Sequence, residues 1–228
     1  MTELESLLRE RRNVLLDFDG PVCAVFSAIT DRAVAEELAD IAGGANLPRT
    51  VRVSNDPFDV LRYVAAEGDK ATLSRVESRF RDLECRAVEN AEPTPGAAEA
   101  ITELSARSYQ VAIVTNNSAE AADRYLRRLG LRSKVGPIAG RPGAEVALLK
   151  PDPHLVEVGL RELGTTAAGA MFVGDSESDV AAGRAAGVAC VALANKPGKV
   201  KRFAALRPEA TITTMFELLD CLADSPRP

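Results

Sequence analysis

The 228-residue sequence lacks the residues that several common kinds of functional site require. It has one histidine, His154, which excludes a metal site built from several histidines. Lying in the first turn of a predicted helix, His154 is interpreted as a surface or packing residue. The four cysteines are far apart and include no Cys-x-x-Cys pair, which is typical of reduced cytosolic thiols rather than of disulfides or a zinc site. They are Cys23, Cys85, Cys190 and Cys221.

The sequence also lacks long apolar runs and an excess of basic residues. No apolar run reaches the roughly 18 residues of a membrane span, and the charged residues 1–12 do not resemble a secretory signal. A net charge of −5 argues against a nucleic-acid partner, which would need a basic face. We therefore expect a cytoplasmic protein with no membrane or nucleic-acid partner, and the oligomeric state stays open. With 46% apolar residues, the chain can form one large domain, or a core with a smaller domain.

The most informative feature present is a pair of carboxylates, Asp17 and Asp19, directly after the apolar residues 14–16. Such a run is typical of a buried parallel strand, and Gly20 then permits a sharp turn. Both acids would lie at the carboxyl end of a strand, where open α/β sheets bind ligands. One carboxylate could attack a substrate while the other moves protons, and together they could hold a hard cation. A solvated turn is the ordinary alternative.

Three later segments repeat this arrangement of an apolar run followed by polar residues. Residues 111–114 and 170–173 are apolar, and a shorter apolar pair precedes a Lys-Pro-Asp-Pro segment. The polar residues that follow are Thr115 and Asn116, then Lys150, then Asp175 and Asp179. From residue 93 onward, predicted strands and helices alternate, which favours a parallel sheet with right-handed crossovers. The strands are predicted near residues 110–115, 135–139, 170–174, 188–193 and 210–213.

The order of these four motifs, from Val14 to about Ala194, resembles the haloacid dehalogenase superfamily, whose members are mostly phosphohydrolases. The resemblance implies an α/β fold, with a Rossmann-like parallel sheet and helices on both faces. It implies that Asp17 is the nucleophile, forming an aspartyl-phosphate, and that Asp19 is the general acid and base. It also implies Mg²⁺, held by Asp17, the backbone carbonyl of Asp19 and Asp175, with Asp179 supporting the metal from the outer shell.

The same resemblance assigns phosphate binding to the hydroxyl of Thr115, backbone N–H groups near Asn116 and the ammonium of Lys150. Each residue taken singly has an ordinary interpretation as well. Thr115 could simply end a strand, and Lys150 could be a solvated loop residue. Asp175 and Asp179 could cap a helix, because anions are favoured at helix starts. Only the complete set in this order favours an enzyme.

Residues 22–90 are predicted to form a helical cap inserted into a core made of residues 1–21 and 91–228. Apolar residues repeat at helical spacing around residues 26–41 and 73–87. A cap at this position resembles the phosphoglycolate phosphatase and β-phosphoglucomutase branch, and such caps close over the site. Arg49, Arg52 and Arg62 are cap residues that could meet an anionic substrate, although arginine is also common on solvated helices.

Four local predictions complete this description. Asp152 is predicted to cap a helix that has Pro153 at its first position. The basic residues 196–202 are interpreted as a solvated loop, and residues 225–228 as a frayed tail. Pro21 departs from the family pattern, which has Thr or Val there, and makes the shape of the turn after Asp19 uncertain.

The predicted function is a magnesium-dependent phosphatase acting on a small phosphorylated metabolite through an aspartyl-phosphate. One alternative is a phosphomutase resembling β-phosphoglucomutase, which would need an aspartyl-phosphate that outlasts attack by water. A dehalogenase is disfavoured by Asp19, because a leaving halide needs no acid. A non-catalytic binder of a phosphorylated ligand would not need both Asp17 and Asp19.

Overall fold

A six-stranded parallel sheet forms the centre of the protein in a computed structural model, which describes residues 2–223. In chain order the strands are β1 (Asn13–Leu16), β2 (Cys23–Ala24), β3 (Glu92–Pro93), β4 (Gln110–Val114), β5 (Ile138–Ala139), β6 (Ala170–Gly174), β7 (Ala189–Leu193) and β8 (Ala210–Ile212). The parallel sheet has the order β5-β4-β1-β6-β7-β8. Strands β2 and β3 form a separate antiparallel pair.

Both faces of the parallel sheet are buried, which explains why its strands are apolar at successive positions. In β1, Val14 and Leu16 pack into one hydrophobic cluster, whereas Leu15 packs into a second cluster on the opposite face. The same alternation separates Val111 from Ala112 in β4. The predicted fold class, a Rossmann-like α/β sheet with helices on both faces, is confirmed.

Eleven α-helices occur among residues 2–223. They are α1 (Glu3–Glu10), α2 (Asp31–Ala42), α3 (Arg49–Arg52), α4 (Pro57–Glu67), α5 (Lys70–Ala87), α6 (Ala97–Ala106), α7 (Ala119–Arg128), α8 (His154–Leu163), α9 (Glu177–Ala185), α10 (Lys199–Leu206) and α11 (Met215–Ala223). None of the helices among these residues is long and apolar enough to cross a membrane.

Helices α2, α4 and α5 share a hydrophobic cluster of their own, apart from the clusters on the sheet. Its fully buried members include Val34, Leu61 and Phe80. Helix α5 extends beyond it, because its last turns place Cys85 and Ala87 in the cluster on one face of the sheet. One long helix therefore packs against both the inserted helices and the parallel sheet.

Three local features differ from the sequence-based description. Residues 199–206 form α10 rather than a solvated loop, and β2 was not predicted because two residues give no periodicity. Helix α8 begins at His154, one position later than predicted, although Pro153 already has helical backbone angles. Asp152 still accepts a hydrogen bond from the His154 N–H at 2.9 Å. The predicted fraying of residues 225–228 lies outside the described residues.

Candidate active site

The candidate site lies where the three central strands of the sheet end. Because β4, β1 and β6 are neighbours and run in parallel, their carboxyl ends meet at one edge. Asp17 follows β1, Thr115 follows β4 and Asp175 follows β6. Lys150 comes from the turn before α8, and its ammonium reaches the same place. The structure thus brings together residues from all four predicted motifs.

The ammonium of Lys150 lies between two carboxylates at the centre of this site. Its Nζ is 2.8 Å from Asp17 Oδ1 and 2.5 Å from Asp179 Oδ1. It also donates to the Val114 carbonyl at 3.1 Å. Lys150 is only 3% exposed, so it is not a solvated loop lysine. Burial alone would lower the pKa of Lys150, but Asp17 and Asp179 outweigh that effect and raise it, so the ammonium stays charged.

Three carboxylates are crowded together at this site. Oxygen atoms of Asp17, Asp175 and Asp179 all lie within 4.8 Å of one another. Burial raises the pKa of Asp17, and the charges of Asp179 and Asp175 raise it further, against the effect of Lys150. Burial also raises the pKa of Asp175. An all-oxygen cluster with excess negative charge suits a hard divalent cation, so the residues present fit such an ion.

Asp179 is held mainly by groups at the start of α9. Its Oδ2 accepts hydrogen bonds from the Ser176 hydroxyl at 2.6 Å and from the Ser176 and Asp175 N–H groups at 2.9 and 3.1 Å. Ser176 and Asp179 form a capping box. With Oδ1 bound to Lys150, both oxygens of Asp179 already have protein partners. This arrangement is typical of a residue that orients its neighbours rather than of a residue that binds a ligand directly.

Asp19 lies on the turn after β1 and faces the inserted segment. Its Oδ1 accepts a hydrogen bond from the Val25 N–H at 2.9 Å, just past β2. Burial is the main cause that raises the pKa of Asp19 to about 6. A carboxyl group with this pKa can donate and accept protons near neutral pH.

The turn after Asp19 requires Gly20. Its φ is +111°, and a Cβ there would lie 2.2 Å from Asp175 Cγ, so a side chain would displace that carboxylate. Pro21 fits without an N–H because other groups close the turn. The Gly20 N–H donates to the Cys23 carbonyl at 2.7 Å, and the Thr94 hydroxyl donates to the Gly20 carbonyl at 2.5 Å.

Thr115 and Asn116 form the start of a tightly bonded loop, residues 115–118, which we call the 115–118 loop. The Thr115 hydroxyl donates to Asn117 Oδ1 at 3.1 Å. The Asn116 amide exchanges two hydrogen bonds with the backbone of Lys150, at 2.8 and 3.2 Å. The N–H of Asn116 has no hydrogen-bond partner among residues 2–223. It is therefore a free donor at the carboxyl end of β4.

Three charged residues around the site were missed from the sequence. Lys199, interpreted as part of a solvated basic loop, is buried and pairs with Asp175, while also donating to Asn195 Oδ1 at 3.0 Å. Glu84 and Arg141 form a buried ion pair behind the 115–118 loop. The sequence does contain a signal for the burial of Glu84, since a carboxylate four residues after Phe80 lies on the apolar face of α5. It contains no comparable signal for Arg141.

Comparisons with known proteins agree with this geometry. Residues 50–193 match the family described as haloacid dehalogenase-like hydrolase. The chain is 30% identical over 191 residues to a phosphoglycolate phosphatase of Rhodospirillum rubrum, covering 79% of this chain and 78% of that one. It is also 30% identical over 205 residues to a phosphoglycolate phosphatase of Pseudomonas syringae pv. tomato, covering 85% and 74%.

Solved structures share the fold. The crystal structure of CbbY from Rhodobacter sphaeroides in complex with phosphate has a TM-score of 0.72 and 19% identity, and the match covers 93% of this chain and 99% of that one. A predicted phosphoglycolate phosphatase from Haemophilus somnus gives a TM-score of 0.66 at 18% identity, covering 92% and 97%. With its four motifs assembled in one site, the chain belongs to the haloacid dehalogenase-like hydrolases and falls among the phosphatases of that family.

Proposed function

We propose that this protein hydrolyses a small phosphorylated metabolite through a phosphoryl group carried on Asp17, with Mg²⁺ as cofactor. The observation that carries the proposal is the state of the two oxygens of Asp17. Oδ1 accepts a hydrogen bond from the Phe18 N–H at 2.7 Å and forms an ion pair with the Lys150 ammonium at 2.8 Å. No hydrogen bond to Oδ2 occurs among residues 2–223. One oxygen is thus held by the protein while the other is available to attack phosphorus.

Asp17 and Asp19 divide the chemistry between them. In the first step an Asp17 oxygen bonds to phosphorus, the ester P–O bond breaks, and the leaving oxygen takes the proton of Asp19. In the second step Asp19 takes a proton from water, whose oxygen bonds to phosphorus. The bond between Asp17 and phosphorus then breaks, which releases phosphate. The pKa of about 6 supports both roles of Asp19, because neither protonation state is rare near neutral pH.

Asp17, Asp175 and the backbone carbonyl of Asp19 are the proposed ligands of Mg²⁺, and Asp179 supports them. The chemistry that a bound cation supplies here is screening of the repulsion between a carboxylate nucleophile and an anionic phosphate ester. The fit is supported by the three carboxylates within 4.8 Å of one another and by the raised pKa values of Asp17 and Asp175.

Phosphate binding is proposed for Lys150, Thr115 and the free N–H of Asn116. Lys150 supplies a fixed positive charge at Asp17 Oδ1, the partner of the attacking oxygen in the same carboxylate, and the Lys150 backbone is held by the Asn116 amide. The Thr115 hydroxyl donates to Asn117 in this structure, so it must exchange that partner for a phosphoryl oxygen. The N–H of Asn116 needs no such exchange.

Residues 22–90 are proposed to act as a cap that selects the substrate, on a core of residues 1–21 and 91–228. The hydrophobic cluster shared by α2, α4 and α5 supports this division. The names of the relatives make phosphoglycolate the first compound to test. Three buried cysteines with free thiols, Cys23, Cys85 and Cys190, support a cytoplasmic location.

The function is tested by incubating the protein with phosphoglycolate, β-glucose 1-phosphate and other phosphorylated metabolites, and measuring free phosphate. We expect release from a few compounds with Mg²⁺ and none with a chelator. Full release in the chelator would contradict the proposed cofactor. An isomerised sugar phosphate without phosphate release would instead indicate a phosphomutase.

A second measurement tests the metal without using activity. Mg²⁺ should raise the unfolding temperature of the wild-type protein, because a ligand that binds only the folded state stabilises it. Asp175→Asn should lose most of that gain. Asp152→Asn is the matched control, since Asp152 only accepts a bond at the start of α8. If Mg²⁺ raised the unfolding temperature equally in all three proteins, Asp175 would not be a ligand of the metal.

A further inference from the structure

A fully buried ion pair joins α5 to the loop after β5. Arg141 donates to both carboxylate oxygens of Glu84, from Nη1 to Oε1 at 2.8 Å and from Nη2 to Oε2 at 2.9 Å. Both side chains are 0% exposed. The guanidinium also lies over the ring of Phe80, 4.5 Å from its centroid. Two parallel charge-assisted bonds fix the relative position of the two groups as well as their distance.

The same two side chains bind three consecutive residues of the 115–118 loop. Glu84 accepts hydrogen bonds from Asn117 Nδ2 at 3.0 Å and from the Ser118 N–H at 3.1 Å. Arg141 Nη1 donates to the Asn116 carbonyl at 3.0 Å, and the Arg141 N–H donates to the Asn117 carbonyl at 2.8 Å. Three side-chain bonds therefore connect this ion pair to the loop, and the backbone N–H of Arg141 adds a fourth bond.

Two further steps lead from the loop to the groups proposed to bind phosphate. The Asn117 N–H donates to the Thr115 hydroxyl oxygen at 3.1 Å, and Asn117 Oδ1 accepts the hydroxyl proton. The Asn116 amide holds the backbone of Lys150. The orientation of Thr115, the free N–H of Asn116 and the start of the Lys150 side chain thus depend on one connected set of bonds.

Simple attachment of α5 to the core does not require this pair. Removing two charges from water is costly, and well-packed apolar residues often stabilise a protein as much as a buried ion pair does. Apolar packing already joins α5 to the sheet through Cys85 and Ala87. What apolar residues could not supply are the acceptors and donors that bind residues 116–118.

We propose that Glu84 and Arg141 are positioning residues, which hold the 115–118 loop in the shape that binds the phosphoryl group. The inference rests on the proposed function, because it assumes that Thr115, Asn116 and Lys150 contact the phosphate. It also assigns a new role to α5: a helix of the inserted segment determines the geometry of a loop in the core.

The test compares the double variant Glu84→Met/Arg141→Met with Glu37→Met/Arg79→Met. The second pair is the matched control, since Arg79 also lies on α5 and its Nε is 2.6 Å from Glu37 Oε1. Among residues 2–223, no hydrogen bond or ion pair joins Glu37 or Arg79 to the 115–118 loop. Replacing both partners leaves no unpaired buried charge, because Glu77, 3.7 Å from Arg141 Nε, keeps its ion pair with Arg81 at 3.2 Å. Each protein is measured for unfolding temperature, for kcat and KM with nitrophenyl phosphate and Mg²⁺, for binding of inorganic phosphate, and for hydrogen exchange of residues 115–118.

We expect the Glu84/Arg141 variant to fold but to show at least a tenfold higher KM, a similarly weaker affinity for inorganic phosphate, and faster exchange of residues 115–118. The control should stay within about twofold of the wild type in each. Phosphate affinity and loop exchange equal to those of the control would overturn the proposal. If the double variant does not fold, Arg141→Lys replaces it, since lysine keeps the charge but not the paired bonds. A folded Arg141→Lys protein with wild-type phosphate affinity and exchange would overturn the proposal equally.

Hydrogen exchange distinguishes a failure of the proposed function from a failure of the positioning role proposed for Glu84 and Arg141. A wild-type protein that cleaves no phosphate ester would refute the proposed function alone. Loop exchange that responds to the Glu84/Arg141 change in the same protein would still show that the pair holds the 115–118 loop.

Discussion

At the residue scale, the side chain of Lys150 connects several parts of the site. Its ammonium forms ion pairs with Asp17 and Asp179 and donates a hydrogen bond to the Val114 carbonyl. Lys150 is almost completely buried. Its positive charge lies beside Asp17, the carboxylate that is proposed to receive the phosphoryl group. Electrostatic stabilisation by a fixed charge in a buried site is usually worth several powers of ten in rate.

Lys150→Met should lower kcat about a hundredfold or more, in line with the loss of one electrostatic stabiliser. Methionine keeps the unbranched stem and loses the charge. Because Asp17 and Asp179 would lose their shared partner, we also expect a loss of about 3 kcal/mol in unfolding free energy. Initial rates with nitrophenyl phosphate and denaturant unfolding check both values. Near-normal kcat would show that Lys150 is only structural.

Residues directly after an apolar strand were the most predictable part of the site. Asp17, Thr115 and Asp175 follow β1, β4 and β6, so the topology of a parallel sheet brings them together. Lys199 was not predictable in this way, because its contact with Asp175 depends on where α10 packs. A local sequence pattern contains no information about such a tertiary contact.

At the element scale, α4 places one of the three arginines of the proposed cap beside residues 150–153. Arg62 lines a cleft together with Lys150 and residues 151–153, where it pairs with Asp59 at 3.3 Å and Asp56 at 3.6 Å. Arg49 and Arg52, which are exposed as Arg62 is, lie on the short helix α3 and are not among the residues that line this cleft. Of the three candidates, Arg62 is therefore the one best placed to meet the anionic end of a substrate.

Arg62→Ala should raise KM for phosphoglycolate about fivefold or more, because a charge-assisted contact contributes roughly 1 kcal/mol or more. KM for nitrophenyl phosphate, which has no carboxylate, should change less than twofold. Arg52→Ala is the control and should leave both values unchanged. An equal change of KM for the two substrates would mean that Arg62 does not bind the carboxylate of phosphoglycolate.

The helices of the inserted segment were predictable only in part. Apolar spacing indicated α2 and α5, but Phe26 and Ile29, which continue the same spacing, lie before α2 begins at Asp31. They pack against the inserted cluster without being helical. Periodicity reports which side chains are buried, and tertiary packing decides where the helix starts.

At the scale of the whole molecule, the acidic site is a source of instability when no cation is bound. Asp19 shows the effect most simply, since burial raises its pKa from 3.8 to about 6. A carboxyl group whose pKa is raised by folding stabilises the protein while it is neutral, below about pH 4. This contribution is lost as the pH rises through about 6.

Asp19→Asn cannot ionise, so it should keep that contribution at all pH values. In a chelator, its unfolding free energy relative to the wild type should increase between pH 4 and pH 8 by on the order of 2 kcal/mol. Denaturant unfolding of both proteins across this range checks the sign. A difference that is independent of pH would show that the carboxyl group of Asp19 is not perturbed by folding.

The fold as a whole was predictable because six strands and their crossover helices each carry a local signal. The ion pair of Glu84 and Arg141 was not predictable, because the two residues are 57 positions apart and come into contact only after α5 has packed. Bonds of this kind depend on the assembled structure.

Mass spectrometry of acid-quenched protein shows whether Asp17 carries the phosphoryl group. Asp19→Ala is incubated with nitrophenyl phosphate and Mg²⁺, because this leaving group departs without a proton while hydrolysis of the intermediate lacks its base. We predict that Asp19→Ala gains the mass of one phosphoryl group, located on Asp17, and that Asp17→Asn gains none. A phosphoryl group on any other residue would contradict the mechanism.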